Sequence, residues 1–165
     1  MVSKEDVARI IEQEQALVFD GFDEGTAFAL GVRVRDRAVR EQLGLVVDVR
    51  TFDRTLFYAA LPGTTADNAN WVQRKVNTLT RLQKSSYRVA LERTFEERVF
   101  PAHRALDPAL FAIAGGAFPI RIRGYGIIGC ITISGLHERD DHQVGVDAIC
   151  DELGRDRTPF TLPPL

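Results

Sequence analysis

The sequence predicts an α/β (α+β) domain in which a mainly antiparallel sheet is flanked by helices. Two observations lead to this prediction. The spacing of apolar residues switches between helical and two-residue periods along the 165 residues, and the strand-like segments occur mostly as hairpins. A doubly wound parallel sheet would instead require strands that alternate singly with helices, and that alternation is missing. The predicted element order is α, β, α, β, β, α, α, β, β, β, α.

The first part of the chain predicts two helices with a short strand between them. Ser3 is the expected N-cap of the first helix, because acidic residues and a helical apolar spacing follow it. Residues 16–22, ALVFDGF, predict the strand. Asp23 is the expected cap of the second helix, and Gly44 its expected stop. The apolar stripe of this second helix consists of Ala27, Leu30, Val34 and Ala38.

A hairpin and a third helix are predicted next. Apolar and polar residues alternate over 45–50, and the strand-like segment TLFYAAL (55–61) follows a turn at 52–54. Pro62-Gly63 ends this hairpin. The third helix is expected to begin at Thr64 or Thr65, with Asp67 completing a start that resembles a capping box.

The second half of the chain predicts a helix, three strands and a final helix. The helix runs from Tyr87 towards Val99 and is stopped by a proline. The strands are LFAIA (110–114) and a hairpin of 118–123 with 127–134, and the last helix covers 138–153. We therefore expect one domain over residues 1–156, followed by a proline-bearing tail over 157–165.

Composition restricts the class of protein. The formal net charge of −2 argues against a general nucleic-acid-binding protein, which is usually basic. No apolar run approaches the roughly 20 residues that a membrane-spanning helix needs. The N-terminal MVSKEDVARI lacks the apolar region of a secretory signal, so we expect a cytoplasmic protein. Cys130 and Cys150 are expected to be buried and reduced, since no disulfide-exchange or zinc-ligand spacing is present.

The first candidate site lies in residues 61–79. Asn68, Trp71 and Lys75 share one face of the third helix, and Arg74 lies beside that face. The start of this helix, with its free N–H groups and two cations, is suited to an anion. The alternative is that the polar residues cap the helix, Trp71 packs and the cations are solvated or pair with Asp67 and Asp141.

The second candidate site lies in residues 115–142. Gly115 and Gly116 end a strand and permit another group to approach closely, either a ligand or the neighbouring chain. Ser134 does not sit in a Gly-x-Ser-x-Gly elbow. A Ser134–His142–Asp141 triad is disfavoured because adjacent residues of a helix do not face each other. Catalysis is therefore the least supported hypothesis. We predict no metal site, since the histidines show no ligand spacing.

Four motifs in order resemble one known family. They are LPGTTADNANWVQRK (61–75), SSY (85–87), GGAFPI (115–120) and ITISGLHERDDH (131–142). Together they are similar to the GlcG/HbpS-like, so-called haem-degrading-domain family, over residues 22–153. The resemblance implies a profilin-like or PAS-like domain that forms homo-oligomers and binds haem or takes part in its degradation. Many members of that family carry a histidine directly before the Gly-Gly pair, where this chain has Ala114, and this difference weakens the expectation of haem or metal binding.

Carried over position by position, the resemblance implies a ligand pocket with an aromatic wall and a basic anchor. Its residues are Thr64, Asp67, Asn68, Trp71, Arg74, Lys75, Ser85, Ser86, Gly115, Gly116, Phe118, Pro119, Ser134, Asp141 and His142. The leading hypothesis is a small-ligand-binding protein without strong catalytic activity, with haem or another planar anion as the candidate ligand. The alternatives are an oligomeric scaffold whose tail drapes over a neighbour, and an oxidative haem-degrading enzyme.

Overall fold

A computed structural model describes residues 2–165 of the chain, without the side chains of Val2 and Ser3. Within this range the helices are α1 Val2–Ala16, α2 Glu24–Glu41, α3 Ala66–Leu82, α4 Ser86–Glu92 and α5 Glu138–Glu152. The strands are β1 Val46–Thr51, β2 Arg54–Ala60, β3 Ala117–Ile122 and β4 Gly126–Ser134. No helix among the described residues is both long enough and apolar enough to cross a membrane.

The strands form one sheet in the order β2-β1-β4-β3, and each neighbouring pair is antiparallel. The two hairpins predicted from the sequence, β1–β2 and β3–β4, are therefore confirmed. They join through β1 and β4, where Val47 is paired with Ile133. The fold class predicted from the alternation of periods is also confirmed.

The two faces of the sheet are covered by different helices. Alternate residues of a strand point to opposite faces. Val47 and Ile131 accordingly pack in the main core with the buried stripes of α2 and α5. Val46 and Cys130 belong to a smaller core beneath α3. The result is a three-layer arrangement in which α3 covers one face and α2 with α5 cover the other.

A third apolar cluster joins α1, α4 and the C-terminal tail. Ile10 and Tyr87 pack there with Leu162 of the tail, and each is almost fully buried. Phe160 of the tail is buried in the main core, and its carbonyl accepts a hydrogen bond of 2.6 Å from Gln13 Nε2. Residues 158–162 therefore pack against their own chain.

Two predicted strands are absent, because their segments bond elsewhere. In residues 16–22, α1 continues to Ala16, and Phe19 forms no more than an isolated bridge to Ile122. In residues 110–114, the backbone pairs with helix α3 instead of with a strand. The Ala112 N–H donates to the Arg74 carbonyl at 3.2 Å, and the Ala112 carbonyl accepts from Thr78 Oγ1 at 2.7 Å.

Helix ends differ from the prediction in three places. The predicted helix from Tyr87 towards Val99 stops at Glu92. Beyond it, Phe95 and Phe100 pack together, with ring centroids 6.3 Å apart. These residues are five positions apart in the sequence, and residues at that separation do not share one face of a helix. Helix α1 begins at Val2, so Ser3 lies in the first turn of the helix. The prediction that the Ser3 side chain caps this helix concerns a side chain outside the described part of the structure. Helix α2 is capped by Asp23 as predicted, but it ends at a left-handed Gln42 before reaching Gly44.

Candidate functional site

A cleft opens where β4 ends, between the first turns of α3 and the start of α5. It consists of two adjoining cavities of about 290 and 390 Å³ that share Trp71, Ala114, Leu136 and Glu138. The inner cavity is also lined by Asp67, Asn68, Lys75, Ser134, Gly135 and Asp141, and the outer one by Arg74, Arg98, Ile113 and His137. Their sizes are those of small-molecule sites.

The first turns of α3 form one edge of the cleft. Thr65 caps the helix, and Asn68 completes a capping box by accepting from the Thr65 N–H at 2.9 Å. The sequence suggested Asp67 for that role. Asp67 instead accepts a hydrogen bond from Trp71 Nε1, one turn further along the helix, at 3.2 Å. This contact holds the indole at the cleft wall.

Trp71 and Arg74 form a stacked pair between the two cavities. The Arg74 guanidinium carbon lies 4.5 Å from the centroid of the indole ring, a cation–π distance. Arg74 Nε donates to the Pro108 carbonyl at 3.1 Å. Among residues 2–165, no carboxylate forms an ion pair with Arg74, so the remaining guanidinium donors are available to a ligand.

Lys75 and Asp141 form a buried ion pair at the floor of the inner cavity. Lys75 Nζ lies 3.1 Å from Asp141 Oδ2 and donates to the Ile133 carbonyl at 3.0 Å. Asp141 also accepts from the Leu136 N–H at 2.9 Å. Burial lowers the pKa of Lys75, and the Asp141 charge opposes that shift; burial likewise raises the pKa of Asp141. Lys75 is thus neither solvated nor an open anion anchor.

The glycine pair permits close packing beneath this ion pair. Gly116 has φ +140°, and a Cβ on it would clash with the Ile133 carbonyl and lie 2.7 Å from Lys75 Nζ. A Cβ on Gly115 would lie 2.5 Å from the Glu138 carbonyl oxygen. The groups that approach these glycines are therefore parts of the chain itself. Ala114, directly before them, lines both cavities.

The outer wall is built from residues that sequence reasoning did not select. Arg98 donates two hydrogen bonds of 2.8 Å to the Glu138 carboxylate, and Glu138 also accepts from the Gly115 N–H. Arg98 lies in the irregular segment after α4, where no periodic pattern indicates its direction. Its charge was visible in the sequence, but its position depends on how that segment folds back.

Several predicted site residues lie outside the cleft and stabilise nearby turns and strands. Ser86 Oγ accepts from the Ala117 N–H at 3.0 Å, and Ser85 caps α4. Thr64 Oγ1 donates to the Leu61 carbonyl at 2.7 Å. The members of the predicted set that line neither cavity are Thr64, Ser85, Ser86, Gly115, Gly116, Phe118, Pro119 and His142.

His142 is fully buried and lines neither cavity of the cleft. Its ring lies against those of Tyr87 and Phe118, and Nε2 is 2.7 Å from Gln13 Oε1. Because that amide oxygen can only accept, His142 donates from Nε2. Nδ1 has no partner within residues 2–165. Burial, aided by the charge of Arg139, lowers the His142 pKa to about 3. Asp141 bonds to Lys75, so the three members of the disfavoured triad are not joined by hydrogen bonds.

The other candidate chemical groups do not cluster. Within the described part of the chain, no three His, Cys, Asp or Glu side chains are grouped as metal ligands would be. Cys130 and Cys150 are free and buried, and burial raises their thiol pKa values to about 12 and about 11. Thiols of that kind are unreactive near neutral pH.

Comparisons with known proteins agree with this architecture. A family model described as "Haem degrading protein HbpS-like" matches residues 22–150. A UPF0303 protein of Brucella anthropi is 47% identical over 161 residues, covering 98% of this chain and 95% of the relative. The crystal structure of the Ybr137w protein superimposes with a TM-score of 0.83 at 24% identity, covering 93% of this chain and 92% of that chain. A PduOC:haem complex superimposes with a TM-score of 0.66 at 16% identity, covering 79% and 94%.

Proposed function

The chain belongs to the HbpS-like family of haem-degrading proteins, and we propose that it binds haem or another flat, anionic small molecule in the cleft between α3 and α5. The observation that carries this proposal is the stacked pair of Trp71 and Arg74. It places an aromatic face and a cation without an acidic partner, among the described residues, on one wall of the cleft.

The lining of the outer cavity supports a ligand that is flat and partly apolar. Ile113 and Leu136 provide apolar surface in the same cavity as the indole of Trp71. Flat aromatic ligands stack on such surfaces, and an arginine at the edge can bind a carboxylate through two parallel hydrogen bonds. Haem propionates have this chemistry, and the structural neighbour crystallised with haem has the same fold.

Arg74 is the anchor in this proposal, and Lys75 is not. The sequence suggested that both cations could bind an anion, but Lys75 Nζ already contacts the Asp141 carboxylate and the Ile133 carbonyl. A ligand carboxylate at Lys75 would bring a second negative charge next to the buried Asp141 carboxylate and compete with it for the same ammonium. Arg74 faces no such competition among the described residues.

Titration with haemin, followed by the Soret absorbance, tests this proposal. We expect a saturable shift in the wild-type protein and a loss of affinity of roughly tenfold in Arg74→Ala, because one charge-assisted contact is removed. Arg81→Ala is the matched control, since it removes the same charge from an exposed position of α3. Equal affinity in both variants would contradict the role of Arg74, and no saturable shift in any protein would contradict haem binding.

Ala114→His sharpens the same experiment. Because Ala114 lines both cavities, a histidine side chain at this position would extend into the cleft, and imidazole is a common axial ligand of haem iron. We expect tighter haemin binding and a Soret band characteristic of histidine ligation. Adding an electron donor under air to either complex then separates binding from degradation, because degradation bleaches the Soret band and releases iron.

We also propose that the chain forms homo-oligomers. Large apolar side chains remain exposed at the edge strand β2 and the helix next to it, among them Tyr58 on β2, at 47%, and Phe28 on α2, at 61%. Exposed apolar side chains of this kind favour association. Native mass spectrometry before and after adding haemin measures the subunit number and the bound ligand together. A monomer at micromolar concentration would contradict this proposal without affecting haem binding.

A further inference from the structure

We propose that Lys75 is an amine nucleophile that captures small aldehydes or ketones as an imine in the inner cavity. This goes beyond the binding of a flat anion, which depends on Arg74 and the outer cavity. It rests on a second set of groups around the cleft floor: Lys75, Asp141 and Ser134.

The bonding of Lys75 leaves one position of its nitrogen open. The side chain is 4% exposed and lines the inner cavity. Two of its three N–H positions are used, by the Ile133 carbonyl and by Asp141 Oδ2. No other described residue bonds to Nζ. Once the proton at this third position is lost to water, the neutral amine carries its lone pair there, Asp141 remains a carboxylate, and that lone pair is what attacks a carbonyl carbon.

The surroundings of Lys75 favour transfer of its proton. Burial lowers the pKa of Lys75, against the opposing charge of Asp141, so this lysine releases a proton more readily than one in water. Three of the 21 basic residues of the chain are lysines, namely Lys4, Lys75 and Lys84. An arginine at position 75 would keep its proton at any accessible pH, whereas a buried lysine can release it.

Polar groups suited to the carbonyl oxygen line the same cavity. Ser134 lines the inner cavity together with Lys75 and Asp141, and the residue is 3% exposed. The Asn68 side chain lines the same cavity, with its oxygen already accepting from the Thr65 N–H. A hydroxyl in the same cavity as the amine can donate to a carbonyl oxygen as that oxygen gains charge. The cavity volume of about 290 Å³ limits the substrate to a small carbonyl compound.

The reaction balances without an oxidant or a reductant. The Lys75 lone pair forms a bond to the carbonyl carbon, and the π electrons of the carbonyl move to its oxygen. Asp141 takes a proton from the nitrogen and returns it to that oxygen, giving a carbinolamine. The nitrogen lone pair then forms the C=N bond as the hydroxyl leaves with the second amine proton. One amine and one carbonyl compound thus give one imine and one water.

Reductive trapping in the full-length protein tests this inference. The protein is treated briefly with acetaldehyde and sodium cyanoborohydride at neutral pH, which converts an imine into a stable N-ethyl group. Chymotryptic peptides are then assigned by mass spectrometry. We expect Lys75 to be ethylated at least about tenfold faster than Lys84 and the exposed Lys4, because a lowered pKa and a fixed lone pair increase its reactivity. An unmodified Lys75 beside modified Lys4 and Lys84 would overturn the proposal.

Two variants identify the groups that assist Lys75. In Asp141→Asn the proton acceptor is lost, and we expect ethylation of Lys75 to slow about tenfold while that of Lys84 is unchanged. Ser134→Ala gives the corresponding test without touching the ion pair, so the result does not depend on Asp141→Asn folding. Unchanged labelling in Ser134→Ala and in a folded Asp141→Asn would overturn the assigned assistance. The labelling uses no haemin, so its failure is distinct from failure of haem binding.

Discussion

Asp141 and His142 are neighbours in the sequence, yet they belong to two different regions of the molecule. Asp141 reaches the cleft floor and pairs with Lys75, while His142 lies in a closed layer with Gln13 and Tyr87. Successive residues of a helix are separated by about 100°. Helix α5 therefore supplies one side chain to an open cavity and the next to a sealed core.

The two regions bury polar groups in different ways. At the cleft floor two opposite charges are retained beside a cavity, with donors and acceptors still accessible to a small molecule. In the closed layer the imidazole of His142 is held neutral between two aromatic rings. The tail packs against this layer, where the Phe160 carbonyl accepts a hydrogen bond from Gln13. Polar burial in the first region leaves charged groups beside an open cavity, and in the second it fixes the tail to α1 and α5.

Removing Asp141 tests the open region most severely. Asp141→Ala leaves the Lys75 ammonium buried without its partner, and we expect the free energy of unfolding to fall by about 4 kcal/mol. Urea unfolding followed by circular dichroism measures this loss. Asp140→Ala is the control, because Asp140 is the exposed neighbour and should cost at most about 0.5 kcal/mol. Similar losses in both variants would contradict a buried charged pair.

Shortening Phe160 tests the closed region. Phe160 is 6% exposed and packs in the main core, so Phe160→Ala should lower the free energy of unfolding by about 3 kcal/mol. Leu165→Ala, at a residue that is 86% exposed, provides the matched control and should have almost no effect. If both variants unfold at the wild-type urea concentration, the tail does not seal this layer in solution.

The pH dependence of stability tests whether His142 is held neutral. Its pKa is about 3 in the folded chain and close to its ordinary value of 6.5 in the unfolded chain. The unfolded state therefore binds more protons between these values, and the contribution of His142 is complete above about pH 6.5 and decreases as pH falls towards 3. From pH 7.5 to 4.5 the wild type should lose about 2.5 kcal/mol more than His142→Gln. Parallel pH profiles would show that the imidazole is accessible to protons.

The smallest expected effect lies at the edge of the cleft. Asn68→Ala removes half of the capping box at Thr65, and we expect a loss of about 1 kcal/mol in the free energy of unfolding. Asn70→Ala is the control, since Asn70 is exposed in the same helix and alanine favours helix formation there. If Asn70→Ala lowers the free energy of unfolding as much as Asn68→Ala does, the capping explanation is contradicted.

Much of the fold was predictable because it depends on local periods. The two hairpins and α2, α3 and α5 follow from the spacing of apolar residues and from capping residues such as Asp23. The errors fall where a segment has apolar residues but bonds to a distant element. LFAIA reads as a strand, yet its backbone is satisfied by Thr78 and the Arg74 carbonyl on α3. Composition alone does not identify such a partner.

The candidate site was only partly predictable for the same reason. The motifs correctly indicated the family. Seven predicted residues line the cleft, and four of them, Asn68, Trp71, Arg74 and Lys75, were already indicated by their positions on α3 before the resemblance was considered. The remaining members of the set lie in turns, strands and the closed layer. Arg98, Leu136 and Glu138 were not selected, because their positions depend on an irregular segment and on the turn before α5.

By itself, the sequence determined the antiparallel α+β class, the family and the neighbourhood of the cleft, because these depend on periodicity and on residues close together in the chain. The tertiary structure decided that Lys75 pairs with Asp141 across 66 positions while Arg74 has no acidic partner among the described residues. It also separated Asp141 from His142. Burial and long-range contacts set the charge and accessibility of each group, and neither can be read from the spacing of residues along a helix.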